Sequence, residues 1–133
     1  MNQVPDASMN QTLALPNGAA ATTSTAVDTG MSAGGQQGSE VFEIAAPALT
    51  TTQQPDAKTL KYDVLWSNNA DLSSPTTYIT SALVQTGAGG VGAAAAKFRF
   101  RLPDNAGRYV FFKATGSASG DSSGASATLS VYF

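Results

Sequence analysis

The residues with the clearest chemical potential are the cations Lys97, Arg99 and Arg101, which occupy alternate positions. Alternation places all three on one face of a β-strand, while Phe98 and Phe100 point to the opposite face. A basic stripe of this kind can bind phosphates or carboxylates. Because the aromatic rings point away from the cations, they cannot stack on bases beside them. The net charge of −2 also disfavours nucleic acid, so protein carboxylates are the expected partners.

Carboxylates that could meet this stripe precede it in the chain. Residues 1–57 carry acids but no Lys or Arg, whereas residues 58–113 carry all seven cations. Arg108 and Lys113 would extend the stripe if their strand pairs with the strand of Lys97. Solvated strand faces explain the same charges without any partner. The candidate protein–protein contacts, within one chain or between copies, are Lys97, Arg99, Arg101, Arg108, Glu40 and Glu43.

Most catalytic and metal chemistry is excluded by residue type. The chain has no Cys and no His, which rules out Ser-His and Cys-His nucleophiles and thiolate or imidazole metal sites. A Ser–Lys pair would need a desolvated lysine, and the lysines lie among polar residues. The segments 104–107 and 120–124 each offer Ca²⁺ a single carboxylate, too few for a coordination shell. We therefore expect no enzyme activity, no cofactor and no metal.

A glycine-rich stretch, Gly87-Ala88-Gly89-Gly90-Val91-Gly92, matches the dinucleotide-binding pattern. That pattern works only where the glycines open a helix whose N-terminus faces the pyrophosphate. Here residues 93–96 alone precede the alternating segment 97–102. Four residues cannot form the crossover helix, so the sequence predicts a Gly/Ala loop between two strands.

Aromatic residues on another strand allow two interpretations. Tyr62 and Trp66 share one face, and Lys61 and Asp63 lie on the other. Burial in a core is the default for such a face. The alternative is an exposed aromatic platform that stacks on sugar rings. A buried Trp66 would favour the first interpretation.

The elements that must position these residues are β-strands. Period-2 alternation of apolar residues predicts strands at 42–46, 60–66, 76–85, 96–102, 109–112 and 127–133. The expected fold is all-β, a single-domain antiparallel β-sandwich or jelly roll. Residues 39–133 are expected to form the sandwich. Residues 1–38 are interpreted as an extended, partly irregular N-terminal arm that lies across the domain or reaches a neighbour, with short strand candidates at 12–15 and 25–29. A disordered terminus is the alternative interpretation.

The composition favours a protein that works in contact with other proteins. Charged residues make up 12% of the chain, against about 25% in typical soluble domains. A surface built from Ser, Thr, Gly and Ala loses little hydration free energy when a neighbour covers it. No apolar run reaches the length of a membrane span or a signal sequence. Assembly in a cytosol, without a membrane partner, is the simpler interpretation.

The pattern resembles the small jelly-roll cement (decoration) proteins on the capsids of tailed bacteriophages. The resemblance covers about residue 20 to the end. It rests on the segment 21–30, on Tyr62-Asp63-Val64-Leu65-Trp66-Ser67 with the following Ser-Ser-Pro, on Leu102-Pro103 leading to Arg108-Tyr109-Val110, and on the closing Ala/Ser/Gly-rich strand.

The resemblance implies a virion structural protein without catalytic residues. Family members sit on the outside of an icosahedral head, commonly as homotrimers, and bridge neighbouring major capsid protein subunits. The expected location is the outer capsid surface after assembly in the host cytoplasm, with neither nucleic acid nor membrane as partner. The alternative functions are a carbohydrate- or receptor-binding β-sandwich module of a phage tail or bacterial surface, and another virion component such as a tail protein.

Overall fold

Nine β-strands lie in the part of the chain that the structure describes. The structure is a computed structural model, and it describes residues 9–30, 40–117 and 120–132. The strands are β1 (Gln11–Ala14), β2 (Ala21–Thr23), β3 (Val27–Asp28), β4 (Val41–Ala46), β5 (Thr59–Ser67), β6 (Thr76–Thr86), β7 (Ala96–Phe100), β8 (Tyr109–Gly116) and β9 (Ser126–Tyr132).

The strands form two antiparallel sheets. A four-stranded sheet has the order β1-β9-β4-β7, and a five-stranded sheet has the order β2-β8-β5-β6 with β3 also pairing with β8. Because β2 and β3 pair with successive parts of β8, they act as one interrupted strand. The pairings are then nested: β1 with β9, β2 and β3 with β8, β4 with β7, and β5 with β6. This nesting is the jelly-roll arrangement, and the expected all-β sandwich is confirmed.

The core lies between the sheets and is supplied by alternate residues of the strands. Tyr62, Val64 and Phe112 point inward from the five-stranded sheet, and Ile44 and Leu129 point inward from the four-stranded sheet. All five are completely buried. Burying one side chain of this size stabilises the fold by roughly 1.5–3 kcal/mol. The intervening polar residues are thereby left on the two outer faces, where they can meet a partner.

The described part of the predicted arm, residues 9–30, belongs to the sandwich. Strand β1 extends the four-stranded sheet, while β2 and β3 extend the five-stranded sheet. Leu13, Leu15 and Val27 from this segment are buried in the core. The segment therefore lies across the domain in extended form, which is the first of the two arrangements expected for an extended arm. The boundary predicted at residue 38 lies outside the described residues.

Strand β6 contains irregularities that the alternation pattern did not predict. Tyr62 of β5 pairs with Leu83 of β6, and Leu65 pairs with Thr77. Strand β5 thus advances by three residues over a stretch in which β6 advances by six. The extra residues of β6 are accommodated in bulges, and Ser81 has a left-handed φ of 54° there. A bulge shifts the phase of alternation, so the residues on either side of it no longer follow one pattern.

Unbroken alternation along the predicted strand 76–85 would put Tyr78, Thr80, Ala82 and Val84 on one face, and the bulges make that expectation wrong. Val84 pairs with outward-facing Lys61 and is 44% exposed. Tyr78 instead packs against the core. This difference matters for the surface, because it leaves Val84 as an isolated apolar group on the outer face of the five-stranded sheet.

Candidate interaction surfaces

A charged cluster occupies the outer face of the four-stranded sheet. Pairing of β4 with β7 places Glu43 directly opposite Arg99. The Arg99 Nε donates a hydrogen bond to Glu43 Oε2 at 2.6 Å. The Lys97 Nζ lies 3.8 Å from Glu43 Oε1, and the Tyr132 hydroxyl donates to the same oxygen at 3.3 Å. These four residues are called the Glu43 cluster below.

The carboxylate at the centre of the cluster is buried although it lies on an outer face. The side chain of Glu43 is 5% exposed, whereas those of Lys97 and Arg99 are 70% and 53% exposed. Burial alone would raise the pKa of Glu43, but the hydrogen bond from Arg99 and the charges of Lys97 and Arg99 outweigh it and hold the pKa below its ordinary value. The Arg99 guanidinium also lies 4.9 Å from the centre of the Tyr132 ring, in cation–π range.

Apart from Val41, which lies nearly buried opposite Tyr132, the rest of this outer face is small and uncharged. Strand register places the following residues on the same side of the sheet as Glu43: Thr12, Ala14, Ala45, Ser126, Thr128 and Ser130. Hydroxyl and methyl groups are far easier to remove from water than unpaired charges. The face therefore combines one largely self-neutralised cluster with a surface that a protein neighbour can cover at low cost.

Arg108 lies apart from the Glu43 cluster. Strand β7 pairs with β4 and not with β8, because residues 101–108 carry the chain from one sheet to the other. Arg108 and Lys113 consequently belong to the five-stranded sheet and do not extend the stripe. The Arg108 Nε and Nη2 donate to the two carboxylate oxygens of Asp28 at 2.7 and 2.9 Å.

The last two candidate contacts lie at strand ends. Arg101 follows β7 and is exposed, and its carbonyl oxygen accepts a hydrogen bond from the Tyr78 hydroxyl at 2.9 Å. Glu40 precedes β4 and is half-buried. Its Oε2 atom is buried and has no hydrogen-bond partner within the described ranges. Of the predicted contacts, the structure thus joins Glu43, Lys97 and Arg99 and puts Arg108 in the other sheet.

One end of the sandwich forms a second surface that the sequence did not single out. It consists of the described residues of the connections 15–20, 47–58, 87–95 and 117–125, called the loop platform below. The Gly18 N–H donates to the Gly120 carbonyl at 2.6 Å, and the Ser122 N–H donates to the Pro16 carbonyl at 3.2 Å. The Ser122 hydroxyl donates to the Gln53 carbonyl at 3.0 Å. Three of the four connections are therefore fastened together by these bonds.

The glycine-rich connection 87–95 completes the platform. It leads from β6 to β7, and Leu49 and Ala93 exchange two backbone hydrogen bonds of 2.8 and 2.9 Å. Gly92 has a φ of 79°, and a Cβ atom there would lie 1.9 Å from the Leu49 carbonyl oxygen. The glycine is thus needed for close packing of two loops. As predicted, this stretch is a loop between strands and opens no helix.

Trp66 lies in the core region rather than in an aromatic platform. It is 9% exposed, and its ring centre lies 5.1 Å from that of Tyr78. Tyr78 in turn meets the edge of Phe100. The large hydrophobic residues that stand exposed in the described ranges are both valines, Val84 and Val91. This arrangement agrees with the core interpretation of Trp66.

Two further properties complete the description of the surfaces. Within residues 9–30, 40–117 and 120–132, no group of three or more acidic side chains is placed to hold a metal ion. The same residues include no helix long and apolar enough to cross a membrane.

Comparison of the chain with models of known protein families gave no match, and comparison with curated protein sequences gave none either.

Proposed function

We propose that this protein is a capsid cement protein of a tailed bacteriophage. It binds the outside of an icosahedral head, as a homotrimer, and bridges neighbouring major capsid protein subunits. The observation that supports this most directly is the outer face of the four-stranded sheet, where the Glu43 cluster lies in a surface of Ser, Thr and Ala side chains. The resemblance of the sequence to cement proteins points to the same function.

The chemistry of this face suits permanent coverage by a protein. A free charge in an interface loses its hydration and must find a new partner there. In the Glu43 cluster the carboxylate already has its partners, so covering the face leaves no unpaired acid. Two cations surround one carboxylate, which leaves about one positive charge, centred near the exposed Lys97 ammonium. A capsid subunit that presents an Asp or Glu side chain would complement it.

Cementing also explains how individually weak contacts can stabilise a whole capsid. A protein that binds the assembled shell, and not the separated subunits, stabilises the shell through mass action. Repetition over many equivalent sites and over several copies per oligomer multiplies the strength of each contact. A small domain with sparsely charged faces is sufficient for this task, and no catalytic group is required.

The experiment uses heads of the phage that encodes the chain, prepared from a mutant that cannot make it. The proposal expects the purified protein to bind these heads in a fixed stoichiometry and to raise the temperature at which they release DNA. Absence of the protein from wild-type heads, or an unchanged release temperature, would overturn the proposal. Binding to glycans or to a bacterial surface receptor instead would favour the alternative function.

A matched pair of variants tests the contribution of the sheet face. Lys97→Glu reverses the charge beside Glu43, whereas Lys61→Glu makes the same change on the outer face of the five-stranded sheet, where Lys61 is exposed. We expect Lys97→Glu to weaken binding to heads about tenfold or more and Lys61→Glu to leave it nearly unchanged. Equal effects of both variants would mean that only general charge matters and would remove the case for this face.

A further inference from the structure

Asn17 is followed by Gly18, and no other asparagine of the sequence precedes a glycine. Asparagine is among the thermolabile residues, and in this position it can modify itself. The Gly18 nitrogen attacks the Asn17 Cγ, the bond from Cγ to Nδ2 breaks, and ammonia leaves with the proton of that nitrogen. Water then opens the resulting succinimide ring and gives aspartate or isoaspartate. Glycine favours the attack, because no Cβ atom hinders its nitrogen.

The attacking nitrogen is engaged elsewhere in the folded chain. The Gly18 N–H donates to the Gly120 carbonyl at 2.6 Å. The attack requires the nitrogen to lose its proton, which would break this hydrogen bond and leave a negative nitrogen facing the carbonyl oxygen. Burial does not supply the protection, since Asn17 is exposed. The hydrogen bond to Gly120 is therefore the contact that should suppress the reaction.

The backbone on both sides of this dipeptide is fixed as well. The Pro16 carbonyl accepts the Ser122 N–H at 3.2 Å, and the Ala20 carbonyl accepts the Gly116 N–H at 3.0 Å. Gly18 has a left-handed φ of 64°. Its carbonyl oxygen approaches Gly116 so closely that a Cβ atom there would lie 2.3 Å away. The rotation that brings the nitrogen to the side-chain carbon thus requires the whole connection to detach.

The product of the reaction fits the same place less well. Asn17 pairs with Asp121 in an isolated antiparallel bridge. Hydrogen bonds from Ser123 lower the pKa of Asp121, which keeps this carboxylate charged at neutral pH. Conversion of Asn17 to an acid puts a second negative charge directly opposite, and like charges in that arrangement are destabilising. Isoaspartate also adds a methylene group to the main chain, so a chain that has reacted restores the contact between these two loops less well.

We propose that Asn17-Gly18 is a self-modification site that the fold protects through the hydrogen bond from Gly18 to Gly120. The folded chain reacts only when this connection opens locally, whereas the unfolded chain reacts without that restriction. Unfolding that lasts long enough thus becomes irreversible, because the modified chain does not regain its original stability. This chemistry is independent of the proposed function.

The first test measures aspartate and isoaspartate at residue 17 by peptide mapping. Wild-type protein is incubated at mildly alkaline pH, folded in buffer and unfolded in guanidinium chloride. We expect the unfolded chain to react at Asn17 before any other asparagine, and the folded chain to react there at least about tenfold more slowly. Asn17→Gln is the control for the chemistry, because its longer side chain closes a ring much less readily. Equal rates in the two states, or faster reaction at another asparagine of the unfolded chain, would overturn the proposal.

A matched pair of glycine substitutions tests the protecting contact in one solvent. A Cβ atom at Gly120 would lie 2.6 Å from the Gln53 carbonyl oxygen, so Gly120→Ala must displace the backbone that holds Gly18. At Gly124 a Cβ atom would meet only the Gln53 Nε2, at 4.0 Å. We expect folded Gly120→Ala to react about three- to tenfold faster than wild type, and folded Gly124→Ala to react at the wild-type rate. An unchanged rate in Gly120→Ala, or equal acceleration in both variants, would overturn the role of this hydrogen bond. If Gly120→Ala does not fold, the two states of the wild type decide.

The effect of the product is tested with Asn17→Asp, which carries the aspartate form of the reacted residue. Asn68→Asp makes the same change at an exposed asparagine of the connection between β5 and β6. We expect Asn17→Asp to melt about 1–3 °C below wild type, because its new charge faces Asp121, and Asn68→Asp to melt with wild type. The difference should shrink at high salt, where the two charges are screened. A wild-type melting temperature for Asn17→Asp would overturn the proposed irreversibility.

Discussion

Two charged sites, one on each sheet, differ in a way that hydrogen-bond geometry alone does not reveal. Asp28 and Arg108 form a two-pronged pair with both contacts under 3 Å, the better geometry of the two sites. In the Glu43 cluster one contact is short and the lysine stands 3.8 Å away. Yet the Asp28 side chain is 47% exposed and the Glu43 side chain only 5%.

Burial, and not hydrogen-bond geometry, should therefore decide which of the two sites contributes more to the free energy of unfolding. Exposed ion pairs gain little, because water and salt screen the charges and two side chains lose freedom. A buried carboxylate depends on its partners, since without them it would be desolvated and uncompensated. The comparison predicts that the irregular cluster on the four-stranded sheet matters for stability and that the well-formed pair on the five-stranded sheet hardly does.

The largest effect is expected from Glu43→Gln. The substitution keeps the volume and removes the charge, so the bonds from Arg99 and Tyr132 lose their ionic character and the two cations face each other without a carboxylate. Hydrogen bonds to charged groups are worth about 1.5–3 kcal/mol, and the exposure of both cations reduces this to about 1–2 kcal/mol. Urea unfolding at pH 7 measures it. An unchanged free energy of unfolding would refute the ranking by burial.

The same carboxylate should make stability depend on pH. Because the pKa of Glu43 is lowered in the folded state, its contribution is fully present above the ordinary value of 4.5 and is lost as the pH falls through the lower folded value. The difference in unfolding free energy between wild type and Glu43→Gln should thus be constant from pH 7 to about 5 and shrink below 4.5. A difference that grows on acidification would contradict the sign of the shift.

An intermediate effect is expected at Asp63, whose side chain is 17% exposed. Its Oδ1 accepts the N–H of Ser81 at 2.7 Å, at the left-handed position in the β6 bulge, while Lys113 lies 3.9 Å away. We expect Asp63→Ala to cost about 1 kcal/mol, mainly through the lost support of the bulge. Lys113→Ala is the control that removes the ion pair alone and should cost less. If the two variants were equal, the ion pair and not the bulge would account for the effect.

The sequence predicted most strands because alternation is a local property. Segment 60–66 is β5 (Thr59–Ser67) with one residue added at each end, and segment 127–133 corresponds to β9 (Ser126–Tyr132). Strand β2 (Ala21–Thr23) was missed, since three Ala and Thr residues, none of them buried, carry no apolar pattern. The extra residues in β6 were missed as well, because each looks like a normal strand residue until it must pair with β5.

The interaction surfaces were less predictable, because they depend on which strands pair. Alternation showed that Glu43 and Arg99 point outward from their strands. Their contact required β4 to pair with β7, more than fifty residues apart in sequence, and this pairing is set by packing of the whole core. The loop platform gave a weaker signal still. Its glycines could be read only as turn residues until the structure showed which backbone each one meets.

The smallest effect is expected from Asp28→Asn, which removes the charge from the exposed pair. The pKa of Asp28 is lowered by its hydrogen bonds from Arg108 and from the Gly30 N–H, but the asparagine oxygen can still accept the latter. At 150 mM salt we expect a change in melting temperature too small to measure, with a slight decrease emerging only at low salt, where screening is weaker. A loss at 150 mM salt as large as that of Glu43→Gln would show that bidentate geometry outweighs exposure and would reverse the ranking of the two sheets.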